Sequence, residues 1–130
     1  MIGLDTNIIV RYLTQDDPEQ SKTATRLIET QLSATKPGFI TMVTLVEVSW
    51  VLESCYNLAK AEVVHILQGI LATKQFLVER ADLAYLALKH CASARTDFSD
   101  TLIATVCSEH NCTKVLTFDK KARGSGMELL

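Results

Sequence analysis

Met1-Ile2-Gly3-Leu4-Asp5-Thr6-Asn7 is the stretch on which the reading of this chain turns. A short apolar run ends in a carboxylate, two small polar residues follow at once, and a second apolar run, Ile8-Ile9-Val10, begins. Such a run reads as a buried strand whose last residue tips its side chain into a crevice. In open α/β sheets ligands bind at the C-terminal ends of strands, which makes Asp5 a site candidate. Asp5 is equally a candidate helix cap, because Asp, Thr and Asn all serve at N-cap positions. The remaining acids of the chain have to choose between the two.

The 130 residues suffice for a single domain, expected to span 1–130, that buries most of its apolar surface without disulfides. Hydrophobic residues reach 48% while aromatic residues stay at 6%, a balance that favours an α/β domain with a well-buried sheet and an apolar face shared with a second chain. With 13 basic and 15 acidic residues the net charge is −2, which argues against gripping nucleic acid through a general basic surface. A local basic strip drawn from Arg11, Lys36, Arg95, Lys120 and Lys121 stays compatible with one short substrate, and each of these is equally readable as a solvated charge. Cys55, Cys91, Cys107 and Cys112 lack paired two-residue spacing and read as core thiols of a reducing compartment. Cys107, His110 and Cys112 lie close together, but one cluster without a second pair is a poor zinc signal. No basic leader precedes the opening strand and no apolar run approaches the ~18 residues of a membrane span, so a soluble, cytoplasmic protein without membrane contact is expected.

Along the chain, Ile8 to Leu13 reads as a short buried helix, and Asp17-Pro18 as the cap and first residue of a helix from Glu19 to about Leu32. Lys36-Pro37-Gly38 is a turn before a small strand at Phe39-Ile40-Thr41. Thr44 and Glu47 fit a capping box for a helix running to about Tyr56, and Ala61 to Thr73 has helical spacing, so the two helices form a hairpin on whose flank Trp50 and Val51 can face a partner. Phe76-Leu77-Val78 is a strand, Asp82 caps a helix to Ala94, and Asp97 to Asp100 leads into a last helix with Leu102, Ile103, Val106 and Cys107 inward. Lys114 to Phe118 and Met127 to Leu130 complete the strands. Strands alternating with helices imply a parallel sheet covered on both faces.

Asp5, Glu47, Asp100 and Asp119 thus stand at strand ends or on first helical turns, with Asp97 a fifth acid. Each has a structural role open to it as a cap or a capping-box member. Gathered at one sheet edge they repel one another unless they hold protons or a cation lies among them. Hard oxygen ligands of this kind suit Mg²⁺ or Mn²⁺, and such a cation activates water for attack on phosphorus.

At this point the chain resembles a known family. Asp5-Thr6-Asn7, Glu47 within Thr44-Leu45-Val46-Glu47-Val48, Asp97-Phe98-Ser99-Asp100-Thr101-Leu102-Ile103-Ala104 and Leu116-Thr117-Phe118-Asp119 together resemble the PIN domain, and within it the VapC-like toxins of type II toxin–antitoxin pairs. The resemblance implies a three-layer α/β/α fold with a short, mostly parallel central sheet of about five strands. It implies a Mg²⁺- or Mn²⁺-dependent endoribonuclease in which Asp5, Glu47 and Asp100 match the acidic triad and Asp119 the fourth acid. All four are expected to act in catalysis and to ligate the metal. Thr6 and Asn7 match supporting positions, Asn7 by a hydrogen bond to a carboxylate and Thr6 as a small residue beside the substrate. Asp97 is expected to support the site from behind Asp100, as an N-cap. A homodimer and a VapB-like antitoxin partner are further implications.

Two other readings compete. A phosphate-sensing or protein-binding module of response-regulator type would use Asp5 alone as a phosphoacceptor, but it leaves Glu47 and Asp119 without a role. A cysteine–histidine hydrolase would draw on His65, His90 or His110, none of which lies near a Gly-rich elbow.

Overall fold

The computed structural model describes residues 1–130. Strand β1 (Ile2–Gly3) runs directly into helix α1 (Thr6–Thr14). Asp5 is the hinge: its backbone is extended, and its side chain accepts the Thr6 N–H at 2.8 Å, so one residue both ends the strand and caps the helix. Helix α1 buries Ile9 and Val10 and stops at Gln15, whose backbone turns left-handed with φ 56°. Asp17 caps helix α2 (Pro18–Arg26), with Pro18 in the first turn, where its missing N–H costs nothing. The helix does not continue regularly to Leu32; its last five residues, Leu27–Gln31, widen into a π-helical turn.

Strand β2 (Gly38–Ile40) leads into helix α3 (Met42–Ser54). The helix begins three residues before the expected position, because Thr41 is the cap: its hydroxyl accepts the Thr44 N–H at 3.0 Å. Glu47 is therefore no part of a capping box, and its carboxylate is free for another partner. Helix α4 (Lys60–Ala72), strand β3 (Phe76–Val78), helix α5 (Ala81–Ala94) and helix α6 (Phe98–Glu109) follow. Asp82 lies inside the first turn of α5 and pairs with Arg80 instead of capping. Asp97 does cap α6, its Oδ1 accepting both the Ser99 N–H and the Ser99 hydroxyl. Strand β4 (Leu116–Thr117), a short 3₁₀ turn at Lys120–Ala122 and strand β5 (Glu128–Leu129) close the chain.

The architecture is α/β with exclusively parallel pairing, as expected, but the strands divide. A central sheet has the order β1-β2-β3, and β4 pairs only with β5. The central sheet therefore has three strands where about five were expected. Each strand is only two or three residues long, so its ladder supplies few hydrogen bonds, and helix packing sets where it lies. Gly38 lets β1 and β2 sit under two leucines: a Cβ there would lie 2.5 Å from Leu4 Cδ1 and 2.9 Å from Leu32 Cδ1, so both side chains would have to shift.

One cluster of 22 buried apolar residues joins the inner faces of α1, α3, α4, α5 and α6 and the π-helical turn after α2 to the sheet, with Ile9, Ile28, Ile40, Leu45, Leu67 and Ala87 completely enclosed. Two expectations about its membership change. Ile103 is half exposed, because Thr101, Leu102 and Ala104 form the inward face of α6. Of the four cysteines only Cys91 is buried; Cys107 is intermediate, and Cys55 and Cys112 face solvent.

Candidate active site

Helix starts position the acids. Asp5 stands between β1 and α1, Glu47 lies on the second turn of α3, Asp97 and Asp100 open α6, and Asp119 follows β4 and caps the 3₁₀ turn through the Lys121 N–H at 2.9 Å. The acids fall into two groups. In the first, Asp5 and Glu47 line an open cleft of about 560 Å³ together with Thr6, Asn7, Arg11, Asp16 and Tyr56. Thr6 ties the group together: its hydroxyl donates to Glu47 Oε2 at 2.7 Å, joining the first residue of α1 to α3 across 41 positions of sequence. Thr6 is largely buried at the cleft wall, with its hydroxyl engaged by Glu47. Asn7 is exposed and lines the cleft, and no hydrogen bond joins it to a carboxylate.

Asp100 centres the second group. Burial first, then the charges of Asp97 and Asp119, hold its carboxyl above the usual range, with Lys60 opposing them. Glu53, on the next-to-last residue of α3, belongs here as well: burial raises its carboxyl, Asp97 and Asp100 push the same way, and Lys60 again opposes. Sequence reasoning singled out neither Glu53 nor Lys60. Each lies on an ordinary helical surface position with no motif around it, and only the packing of α3 on α6 and of α4 on α3 gives it meaning.

The donor set is all oxygen, the chemistry that Mg²⁺ or Mn²⁺ prefers. Convergence is a separate matter, and no three His, Cys, Asp or Glu side chains lie close enough to hold an ion in this arrangement. The residues fit a hard cation in kind, and Asp5, Glu47, Asp100 and Asp119 are the ones that would hold it.

Cations flank both groups. Asn7 and Arg11 also line a neighbouring cleft that carries Lys22 and Arg26, and Lys60 and Arg95 line a third cleft, of about 710 Å³. Arg11 is engaged there by Asp16 at 3.3 Å and by Gln20 at 2.8 Å. Lys36 precedes β2, at the opposite end of the sheet from Asp5.

A parallel α/β fold with acids collected at strand ends and helix starts belongs among the scaffolds that bind ligands at the C-terminal edge of the sheet. The PIN domain family model matches residues 2–124, and the chain belongs to that family. PIN domains are in general nucleases, hydrolases of phosphodiester bonds, and in general they use divalent metal ions. No curated protein matched the chain. No helix is long and apolar enough to cross a membrane.

Proposed function

We propose that this chain is a metal-dependent endoribonuclease, with Asp5, Glu47, Asp100 and Asp119 as its metal ligands and catalytic acids, and that it is the VapC-like toxin of a toxin–antitoxin pair. The observation that carries the reading is the PIN domain match over residues 2–124 together with the acids Asp5, Glu47, Asp100 and Asp119 placed at or near helix starts and strand ends, where burial, Asp97 and Asp119 hold the Asp100 carboxyl up. Such crowding of acids is relieved by a bound proton or by a cation among them. Mg²⁺ or Mn²⁺ held by Asp5, Glu47, Asp100 and Asp119 would supply that charge and would make a water acidic enough to attack phosphorus.

The chain's own residues do the positioning. Thr6 fixes the rotamer of Glu47 through the 2.7 Å bond, and Asp97 fixes the first turn of α6 so that Asp100 stays at its solvent edge. The Lys60 and Arg95 cleft gives an RNA backbone cationic contacts beside Asp100, and Lys22 and Arg26 give them beside Asn7. The toxin assignment rests on the four-motif resemblance, and a VapB-like antitoxin segment occupying the acid-lined groove belongs to it, as does residence in the cytoplasm. A homodimer accords with the exposed Val43 and Trp50, which share one face of α3.

The test is direct. Purified protein cuts single-stranded RNA when Mg²⁺ or Mn²⁺ is added and stops on addition of EDTA, and Asp5→Asn is folded but inert. Cleavage by Asp5→Asn at the wild-type rate removes the assignment; stable labelling of Asp5 by acetyl phosphate without RNA cleavage replaces it with the phosphate-sensing module.

A further inference from the structure

Helix α6 ends in a Schellman turn, and the turn brings two thiols together. Asn111 takes the left-handed conformation, φ 63°, just past the helix. The Cys112 N–H donates to the Cys107 carbonyl at 3.0 Å, and the Asn111 N–H donates to the Ser108 carbonyl at 3.0 Å. These are the two bonds that define the motif, in which the side chains of the residues joined by the longer-range bond commonly meet as an apolar contact. Here both of those residues are cysteines. A single N–H to carbonyl bond keeps two α-carbons within roughly 7 Å, which is about the limit for bridging two cysteines without moving the backbone.

The two sulfurs differ in setting. Cys112 is exposed, whereas Cys107 is partly covered, and burial together with the neighbouring Cys112 pushes its thiol up. His110 caps the same turn through its backbone, but no third His, Cys, Asp or Glu group converges with the pair, so the donors of a structural zinc site are missing.

We propose that Cys107 and Cys112 are a reversible dithiol, converted to an intramolecular disulfide by a low-molecular-weight disulfide of the glutathione type. The exposed Cys112 thiolate attacks one sulfur of the oxidant, forming a mixed disulfide and expelling one thiol. Cys107, having given up its proton to solvent, then attacks Cys112 Sγ and expels the second thiol, which takes up a proton. Two protein thiols are oxidised and one disulfide is reduced to two thiols. The bridge staples the end of α6, whose start carries Asp100, to the segment entering β4 and Asp119.

Thr96 to Lys114 is free of internal Lys and Arg, so a single tryptic peptide contains both cysteines. In a Cys55→Ser, Cys91→Ala background, oxidised glutathione is expected to make that peptide about 2 Da lighter and refractory to iodoacetamide until dithiothreitol is added. Cys107→Ser is expected to stop at a glutathione adduct on Cys112, and Cys112→Ser to stay unmodified. A glutathione adduct that persists on Cys112 when Cys107 is present, a cross-link between two molecules, or no reaction each overturns the proposal. Because the readout is peptide mass, its failure and the failure of the nuclease reading are separate events.

Discussion

Thr6 and Glu47 show how one hydroxyl can hold two helices in register. Thr6 is buried, and Glu47 is exposed except for this bond, so the carboxylate has no other partner to fix its rotamer. Thr6→Val keeps the shape and removes the donor. The expected outcome is a loss of about 0.5–1.5 kcal/mol in stability and of roughly 10–100-fold in RNA cleavage, with Thr6→Ser close to wild type in both. Unchanged cleavage by Thr6→Val would show that Glu47 needs no such support.

Glu53 allows a pH prediction. Its carboxyl is held above its ordinary value of 4.5, by burial first and then by Asp97 and Asp100 against Lys60. The folded protein binds this proton more tightly than the unfolded chain does. Its contribution to stability is therefore fully present below pH 4.5 and is lost as pH rises through the raised value. Glu53→Gln removes that loss. The Tm difference, variant minus wild type, should grow between about pH 4 and about pH 7; a difference that is constant or shrinks contradicts the assigned cause.

At the scale of elements, caps decide where the acids point. Thr41, rather than Thr44, starts α3, and this shift of three residues moves Glu47 from the helix's opening turn to a position where Thr6 reaches it. Thr41→Ala should lower stability by about 1 kcal/mol, read from urea denaturation. An unchanged midpoint would place the cap elsewhere. Asp5, Asp97 and Asp119 all cap as well. Capping and chemistry proved compatible readings of one residue: a carboxylate that accepts one N–H keeps further lone pairs for other partners.

At the scale of the whole molecule, one apolar cluster carries the sheet and the inner helix faces, while Val43 and Trp50 are left 68% and 62% exposed on α3. Under the homodimer proposal, light scattering gives twice the 14.4 kDa chain mass, and Trp50→Glu returns the monomer. A monomeric wild type would mean that this face has another use.

The sequence by itself determined the α/β class, the parallel pairing, the order of helices and strands and the placing of Asp5, Asp97, Asp100 and Asp119 at element ends. These follow from local signals, because apolar runs, Pro18 and the capping acids act within a few residues of themselves. Tertiary structure alone decided the rest. The sheet splits into three strands and two because strands this short carry too few bonds to choose their neighbours. Glu47 finds Thr6, and Glu53 and Lys60 reach Asp100, because α3 and α4 pack against elements distant in sequence. Such meetings depend on where whole helices settle on the core, which no window of neighbouring residues encodes.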